Sequence, residues 1–413
     1  MKQSRIALVV SEFPARSETF IVSKALGLIE AGWDVHIVCQ SKNQKSLLEL
    51  PQSVRRALTG RVHVAWPHRP KALAAMLSPV AVLWCLIRRP IRTLSYLWRG
   101  GGLRRLYLDA QLVRLAPNVI NFEFGTLAVG RMHIGAALNT STIVSFRGYD
   151  LNRIALEDPN YYLEVWEKAT AVHVLGHHLW ERAQERGCPA KKPHALISPA
   201  INLEFYDPGD RESPIVAGTI ERPLRILSVG RLEWTKGYEY GIEAIRTLSD
   251  RGVWCQYHIV GAGDFYTATA YARYQLGVTD SVDLLGSRTP KEVREEMLWA
   301  DVFLHAAVSE GFGNAVIEAQ AMKLPVVCTS AGGLRENVAD GETGIIVPAR
   351  DPDALADALA TLAHDASLRE RLGVAGRARA HARFRLEDQV AAFSALYERA
   401  GARRVWDAAP MAR

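Results

Sequence analysis

Glu310 and Glu318 frame the stretch of this chain best suited to chemistry. It reads Asp301-Val-Phe-Leu-His-Ala-Ala-Val-Ser-Glu310-Gly-Phe-Gly-Asn314-Ala-Val-Ile-Glu318. Val302 to Leu304 predict the end of a buried strand, and Gly311, Phe312 and Gly313 a loop whose backbone N–H groups can approach a ligand closely. Asn314 is expected as the N-cap of a helix from Ala315 to Leu324, before Pro325 opens the next strand. A glycine loop entering a helix offers unpaired N–H groups and a positive dipole end, which suits phosphate. Glu318 falls about one turn inside that helix, roughly 6 Å along its axis at ~1.5 Å per residue. The two carboxylates can therefore hold two parts of one extended ligand, but not one atom. The plainer alternative is a pair of surface carboxylates on an ordinary strand–loop–helix connection.

A second constellation precedes it. Ser228-Val-Gly230-Arg231-Leu-Glu-Trp-Thr-Lys236-Gly237 predicts a strand ending at Gly230 and a loop presenting Arg231 and Lys236. Two cations at a strand's C-terminal end are placed to neutralise a diphosphate; two solvated loop charges are the alternative. Gly261-Ala-Gly263-Asp264 follows a further strand. It is a Gly-x-Gly-x-x-Gly lacking its third glycine, which raises a nicotinamide-dependent dehydrogenase and argues against it.

The elements that must position these groups form two α/β series. In the first, Ile6 to Val10 and Trp33 to Cys39 are strands. The polar loop Ser11 to Phe20 and a helix carrying Ile21, Ala25, Leu28 and Ile29 lie between them. Two further strand–loop units run Pro117 to Gly125 and Thr142 to Asp150, and a strand through His173 leads into a helix from His177 to Gly187. Tyr206 to Pro223 is polar and turn-rich and predicts a linker. The second series begins at Leu224. Its strands include Gln256 to Val260, Val282 to Leu285, Val326 to Thr329 and Gly344 to Val347. Asp351-Pro-Asp353 matches a metal motif in letters only, because an N-cap, a first-turn proline and an acid suit a helix start. His173, His177 and His178 lack the spacing of a metal site and are taken as structural.

In order, these motifs resemble the retaining glycosyltransferases of family 4. Glu310-Gly-Phe-Gly313 with Glu318 matches that family's Glu-x7-Glu signature, and Gly332-Gly333 with Glu336 follows as it does there. Phe13-Pro14-x-x-Ser17-Glu18-Thr19-Phe20 resembles the start of members that build bacterial exopolysaccharides. The resemblance implies a GT-B fold, two Rossmann-like domains facing across a cleft. It also implies a boundary scheme: residues 1–205 as the acceptor domain, 206–223 as linker and 224–385 as the donor domain. Residues 386–413 are expected as a helix returning to the first domain. It assigns Glu310 to the donor sugar, Glu318 to the nucleotide ribose, and Arg231 and Lys236 to the diphosphate. Gly230, Gly286, Ser287, Phe312, Gly313 and Asn314 complete the donor site. Ser17, Glu18, Glu123, Arg147 and Asp150 fall to the acceptor and sugar pocket. No metal or other cofactor is expected, so Arg231, Lys236 and N–H groups near Asn314 would stabilise the leaving diphosphate. The chain departs from the family where histidines are common: Glu123 and Arg147 stand there instead. Their opposite charges predict an ion pair.

A chain of 413 residues suits two domains, and 48% hydrophobic with 23% charged residues is a globular composition. Five scattered cysteines without a Cys-x-x-Cys point to a reducing, cytoplasmic setting rather than disulfides or zinc. The net charge of +6 is concentrated between Arg69 and Arg105, where no acidic residue occurs among many apolar ones. The apolar run there falls short of the ~20 residues that span a bilayer. It fits a peripheral surface on anionic lipid, with two buried helices and solvated arginines as the alternative. No nucleic-acid motif is present. The expected activity is transfer of a sugar from a nucleoside-diphosphate sugar to a saccharide or lipid-linked saccharide. A GT-B epimerase lacks this Glu-x7-Glu spacing; a non-catalytic sugar-nucleotide binder or membrane scaffold of the same fold is the serious rival.

Overall fold

The computed structural model describes residues 4–15, 19–66, 71–99, 102–209, 211 and 215–407. The chain forms two compact units, each built on one parallel sheet. The first comprises residues 1–175, 179–198 and 386–413, the second residues 176–178 and 199–385.

In the first unit the strands are β1 (Arg5–Phe13), β2 (Asp34–Lys42), β3 (Val62–Val64), β4 (Val119–Phe122), β5 (Ser141–Phe146), β6 (Ala171–Val174) and β7 (His194–Leu196). They lie in the order β3-β2-β1-β4-β5-β6-β7. β1 is central, and Ile6 to Val10 are all buried, as an apolar run must be when helices cover both sheet faces. β1 continues past the expected loop start: Glu12 and Phe13 pair with Ser41 and Lys42. Its polar residues there satisfy the ladder rather than leave it. The edge strands β3 and β7 were not expected; each has three residues and little burial to mark it.

The second unit contains β8 (Leu224–Val229), β9 (Cys255–Val260), β10 (Val282–Gly286), β11 (Val302–His305), β12 (Val326–Thr329) and β13 (Gly344–Val347). Their order is β10-β9-β8-β11-β12-β13. Counted within the unit this is 3-2-1-4-5-6, the doubly wound order in which ligands bind where the winding reverses, here between β8 and β11. The first unit has the same reversal between β1 and β4.

Six helices matter below: α1 (Thr19–Glu30), α2 (Lys71–Arg88), α3 (Pro90–Trp98), α4 (Leu103–Leu115), α5 (Asn314–Ala321) and α6 (Leu386–Asp407). α6 belongs to the first unit, where Phe393, Leu396 and Tyr397 join the core with Ile21, Ala25 and Leu28 of α1. The described residues of 206–223 contact the second unit rather than stand free. Ala217 is in its core, and Arg211 donates to the carbonyls of Met297 and Ala300. Asp351 caps its helix by accepting from Ala354 N at 2.9 Å, so that aspartate serves the backbone. All five cysteines are buried free thiols. Among the described residues, no helix is long and apolar enough to cross a membrane.

Candidate functional site

The second unit gathers its chemistry at the winding reversal. β8 ends at Val229, and Gly230 and Arg231 follow; a single turn, Trp234 to Lys236, then closes at Gly237. The carbonyl of Thr235 accepts from Val308 N at 2.9 Å and from Ser309 N at 3.2 Å, tying this turn to the loop after β11. That tie brings Lys236 to Glu310. Lys236 Nζ lies 2.5 Å from Glu310 Oε2, and His305 Nε2 lies 2.8 Å from the same oxygen. Gly311 N donates to Glu310 Oε1 at 3.0 Å. The sequence places Lys236 and Glu310 on different parts of a ligand; the structure joins them as one ion pair with His305 behind.

The electrostatics follow from that contact. Burial works to raise the Glu310 carboxyl, but the Lys236 charge and the His305 hydrogen bond more than offset it and hold Glu310 well below the usual carboxylate range. His305 is lowered by burial, so it stands as a neutral imidazole at neutral pH. An ammonium has three N–H donors, so Lys236 can keep Glu310 and still reach an anion. Arg231 is exposed and pairs with Glu233 at 2.8 Å.

The loop between Glu310 and α5 is built on backbone constraints. Gly313, not Asn314, is the N-cap of α5; its φ of 88° is left-handed, and Asn314 is the first helical residue. A Cβ at Gly313 would also strike the Leu334 side chain. No side chain caps the helix, so its dipole end is open to an anion. Phe312 is buried against the ring of Phe384, and its carbonyl accepts from Asn337 Nδ2. Gly332 has a φ of 52°, and a Cβ there would collide with the carbonyl of Glu310, so this glycine lets the two loops touch.

Glu318 is partly buried on α5. Burial pushes its carboxyl up to about 7, opposed only by a hydrogen bond from Tyr206. Tyr206 lies in the expected linker and was not foreseen as a neighbour. Gly286 ends β10 with a φ of 70°, where the β9–β10 register shifts, and Ser287 is exposed beyond it. The Gly261-Ala-Gly263 turn is occupied with support. Ala262 O accepts from Leu232 N at 3.0 Å, and Leu232 O accepts from Phe265 N at 3.0 Å, which props the Arg231 loop.

The first unit holds a separate cluster where β4 and β5 end. Glu123 is buried directly after β4, and Arg147 follows β5. The opposite charges meet: Arg147 NH2 lies 3.2 Å from Glu123 Oε2, and Arg147 Nε donates to the Glu123 carbonyl at 3.3 Å. A third charge, missed in the sequence, completes the group. Lys24 Nζ of α1 lies 2.7 Å from Glu123 Oε1, and Asn121 Nδ2 donates to that oxygen at 2.9 Å. Lys24 is 2% exposed and sits 3.5 Å from the centre of the Phe393 ring of α6. Burial lowers its ammonium to about 8, with Glu123 acting the other way. Asp150 accepts from Arg147 N at 3.0 Å and Thr126 N at 3.1 Å, yet burial still raises its carboxyl to about 6. His173 is structural, with its nitrogens on Ser145 Oγ and Ile197 O, both at 2.9 Å. Ser17 and Glu18 lie outside the described residues.

Two sequence signals could have found the missed groups. Lys24 stands three residues after Ile21 and four before Leu28, on the apolar stripe of α1, where a charge requires a partner. His305 is the polar last residue of an otherwise apolar strand. Among the described residues, no group of three or more His, Cys, Asp or Glu could hold a metal ion.

Residues 210–379 match the family model described as Glycosyl transferases group 1. The chain is 27% identical over 390 residues to the putative colanic acid biosynthesis glycosyltransferase WcaL of Escherichia coli (strain K12), covering 86% of this chain and 90% of that one. It is 26% identical over 384 residues to the amylovoran biosynthesis glycosyltransferase AmsK of Erwinia amylovora, covering 87% and 90%. The solved structure of HepE from Anabaena, in complex with UDP and glucose, matches with a TM-score of 0.72 at 16% identity over 96% of this chain and 100% of that one. At that identity the likeness concerns the fold, the two Rossmann-like domains of GT-B.

Proposed function

Because the chain is a GT-B glycosyltransferase whose residues 210–379 match the group 1 family, we propose that it transfers a sugar from a nucleoside-diphosphate sugar, with retention of configuration, as family 4 enzymes do. The observation that carries this reading is the Lys236–Glu310–His305 contact at the winding reversal, beside Arg231 and the uncapped start of α5. Departure of a nucleoside diphosphate puts negative charge on phosphate and positive charge on the anomeric carbon. Lys236, Arg231 and the α5 N-terminus face the first; the Glu310 carboxylate, held ionised, suits sugar hydroxyls and the second. Glu318 takes the ribose. Gly230, Gly286 and Ser287 lie along the donor's diphosphate and base. In this proposal the cations and the helix end do the work of a divalent ion, and no resident metal is assigned.

The acceptor is proposed to be a lipid-linked saccharide in surface polysaccharide synthesis. The support is the named roles of the colanic acid and amylovoran relatives and the basic, apolar stretch at residues 69–105. Glu123, Arg147 and Asp150, with Ser17 and Glu18, are assigned to the acceptor and sugar pocket. The protein would act peripherally at the inner face of the cell membrane. The test is incubation with UDP-, GDP- and ADP-sugars, read by mass spectrometry, then NMR of the new anomeric centre. An inverted product would remove the retaining mechanism. Thermal stabilisation by a sugar nucleotide without turnover would favour the binding-only reading, and a change in nicotinamide absorbance would favour a dehydrogenase.

A further inference from the structure

We propose that α2 and α3 form an interfacial wedge that inserts an apolar stripe into an anionic lipid surface. The inference rests on the peripheral-membrane part of the preceding reading and says which side chains enter the lipid and which meet its headgroups. On α2, Met76, Val80, Leu83 and Ile87 recur at spacings of four, three and four, and all are exposed. On α3, Ile91, Leu94 and Trp98 continue the pattern. Trp98 is 87% exposed, Ile91 82%, Met76 74% and Ile87 72%, while the opposite faces bury Ala81, Cys85, Thr93 and Tyr96. The alternative of two buried helices fails at these seven side chains. Scattered exposed apolar residues are ordinary; a row at helical spacing on each of two consecutive helices marks a contact surface.

Charge decides what covers it. No carboxylate occurs from Arg69 to Arg105, and Arg88, Arg89, Arg92, Arg99 and Arg105 are all exposed beside the stripe. Two guanidinium groups, Arg88 and Arg114, flank the Trp84 ring at 5.5 and 5.7 Å. Burial, then the neighbouring charges of Arg89 and Arg5, push Arg92 down, so this corner gathers like charges. A second copy of the chain docking isologously would bring that basic corner against itself, which repulsion opposes. Anionic headgroups complement it, with arginines and a tryptophan at the water boundary and aliphatic side chains below. α4 runs from the far end of α3 to the start of β4, so the Trp98 end of the wedge stands toward the sheet end that carries Glu123 and Arg147. A lipid-linked acceptor held by the wedge would therefore have its saccharide on the side of that cluster.

The test is co-sedimentation with phosphatidylglycerol-containing vesicles against pure phosphatidylcholine, at low and high salt, together with Trp98 emission. Wild type should pellet with the anionic vesicles, lose binding at high salt and show a blue shift that Trp98→Phe removes. Joint replacement of Ile87, Ile91 and Trp98 by Gln should lower partition about a hundredfold or more. Arg88, Arg89 and Arg92 replaced by Ser should do so about a hundredfold at low salt. Both variants alter exposed residues, so their unfolding temperature and stabilisation by nucleoside diphosphates should match wild type. That separates failure of the wedge from failure of the donor site. Wild type left in the supernatant at low salt, or a triple Gln variant that pellets like wild type, would overturn the proposal. So would a wild-type dimer in solution that the Gln substitutions dissociate, since a second copy would then cover the stripe.

Discussion

Glu123→Gln keeps the shape of a buried side chain and removes its charge, leaving two cations to face a neutral amide. Lys24 Nζ stands 2.7 Å from one carboxylate oxygen and Arg147 NH2 3.2 Å from the other. Arg147 retains the Glu123 carbonyl and the Phe20 ring, but Lys24 is left with a neutral amide and the faces of the Phe393 and Tyr397 rings. Removing one partner of a buried ion pair costs about 3–5 kcal/mol, and that loss is expected near neutral pH. The pH dependence identifies which cation matters. The folded pKa of Lys24, about 8, lies below its ordinary 10.5, so across that window the unfolded chain holds a proton that the native state lacks, and stability rises with pH. In the variant the raising influence of Glu123 is gone, the native pKa falls further, and the rise begins at lower pH. The gap between wild type and variant should therefore narrow from about pH 7 to about pH 9, where Lys24 is largely neutral in both. The assay is urea unfolding by circular dichroism at both pH values, with Lys24→Met completing a double-mutant cycle. A coupling of about 1–3 kcal/mol is expected. Additive effects with a gap independent of pH would mean that Lys24 and Glu123 are not coupled.

Arg231→Ala and Lys236→Ala should each weaken nucleoside-diphosphate binding by about 1.5–3 kcal/mol, measured by titration calorimetry. They should differ in stability: Arg231 is an exposed side chain, whereas loss of Lys236 strips the cation from Glu310, so only Lys236→Ala should lower the unfolding temperature appreciably. For Glu318 the folded pKa, about 7, lies above the ordinary 4.5; the native state holds the extra proton between them, and stability falls as pH rises through that window. Glu318→Gln should remove this fall and gain on wild type across it, whereas Tyr206→Phe, lacking the one opposing hydrogen bond, should extend the fall to higher pH. A constant offset at every pH would contradict the assignment.

Much of the second unit was legible because its signals are local. Val326 to Thr329 and Gly344 to Val347 are apolar runs bounded by turn residues, and they are strands with those bounds; β8 begins at Leu224 as expected and ends at Val229, one residue short of the expected Gly230. The first unit was harder. β3 and β7 are three-residue edge strands with no apolar run, and pairing alone defines them. At the site, loop positions could be read but partners could not. Arg231, Lys236 and Glu310 fall where their loops begin or end, yet the Lys236–Glu310 pair depends on the Thr235 carbonyl joining two loops some seventy residues apart in sequence. Asn314 looks like the better N-cap by residue type, but the chain needs a left-handed residue before the helix, and only Gly313 supplies it without strain. Tyr206 met Glu318 because a polar, turn-rich stretch packed down, which composition does not foretell.

The most direct test of the central claim compares wild type with Glu310→Gln on the sugar nucleotide that the donor screen selects. Release of nucleoside diphosphate and affinity for the free nucleoside diphosphate are measured on the same preparations. With Glu310 proposed to serve the sugar, and Lys236, Arg231 and the start of α5 the phosphates, turnover in the variant should be lower by orders of magnitude and diphosphate affinity within about tenfold of wild type. Turnover at the wild-type rate in Glu310→Gln would contradict the claim.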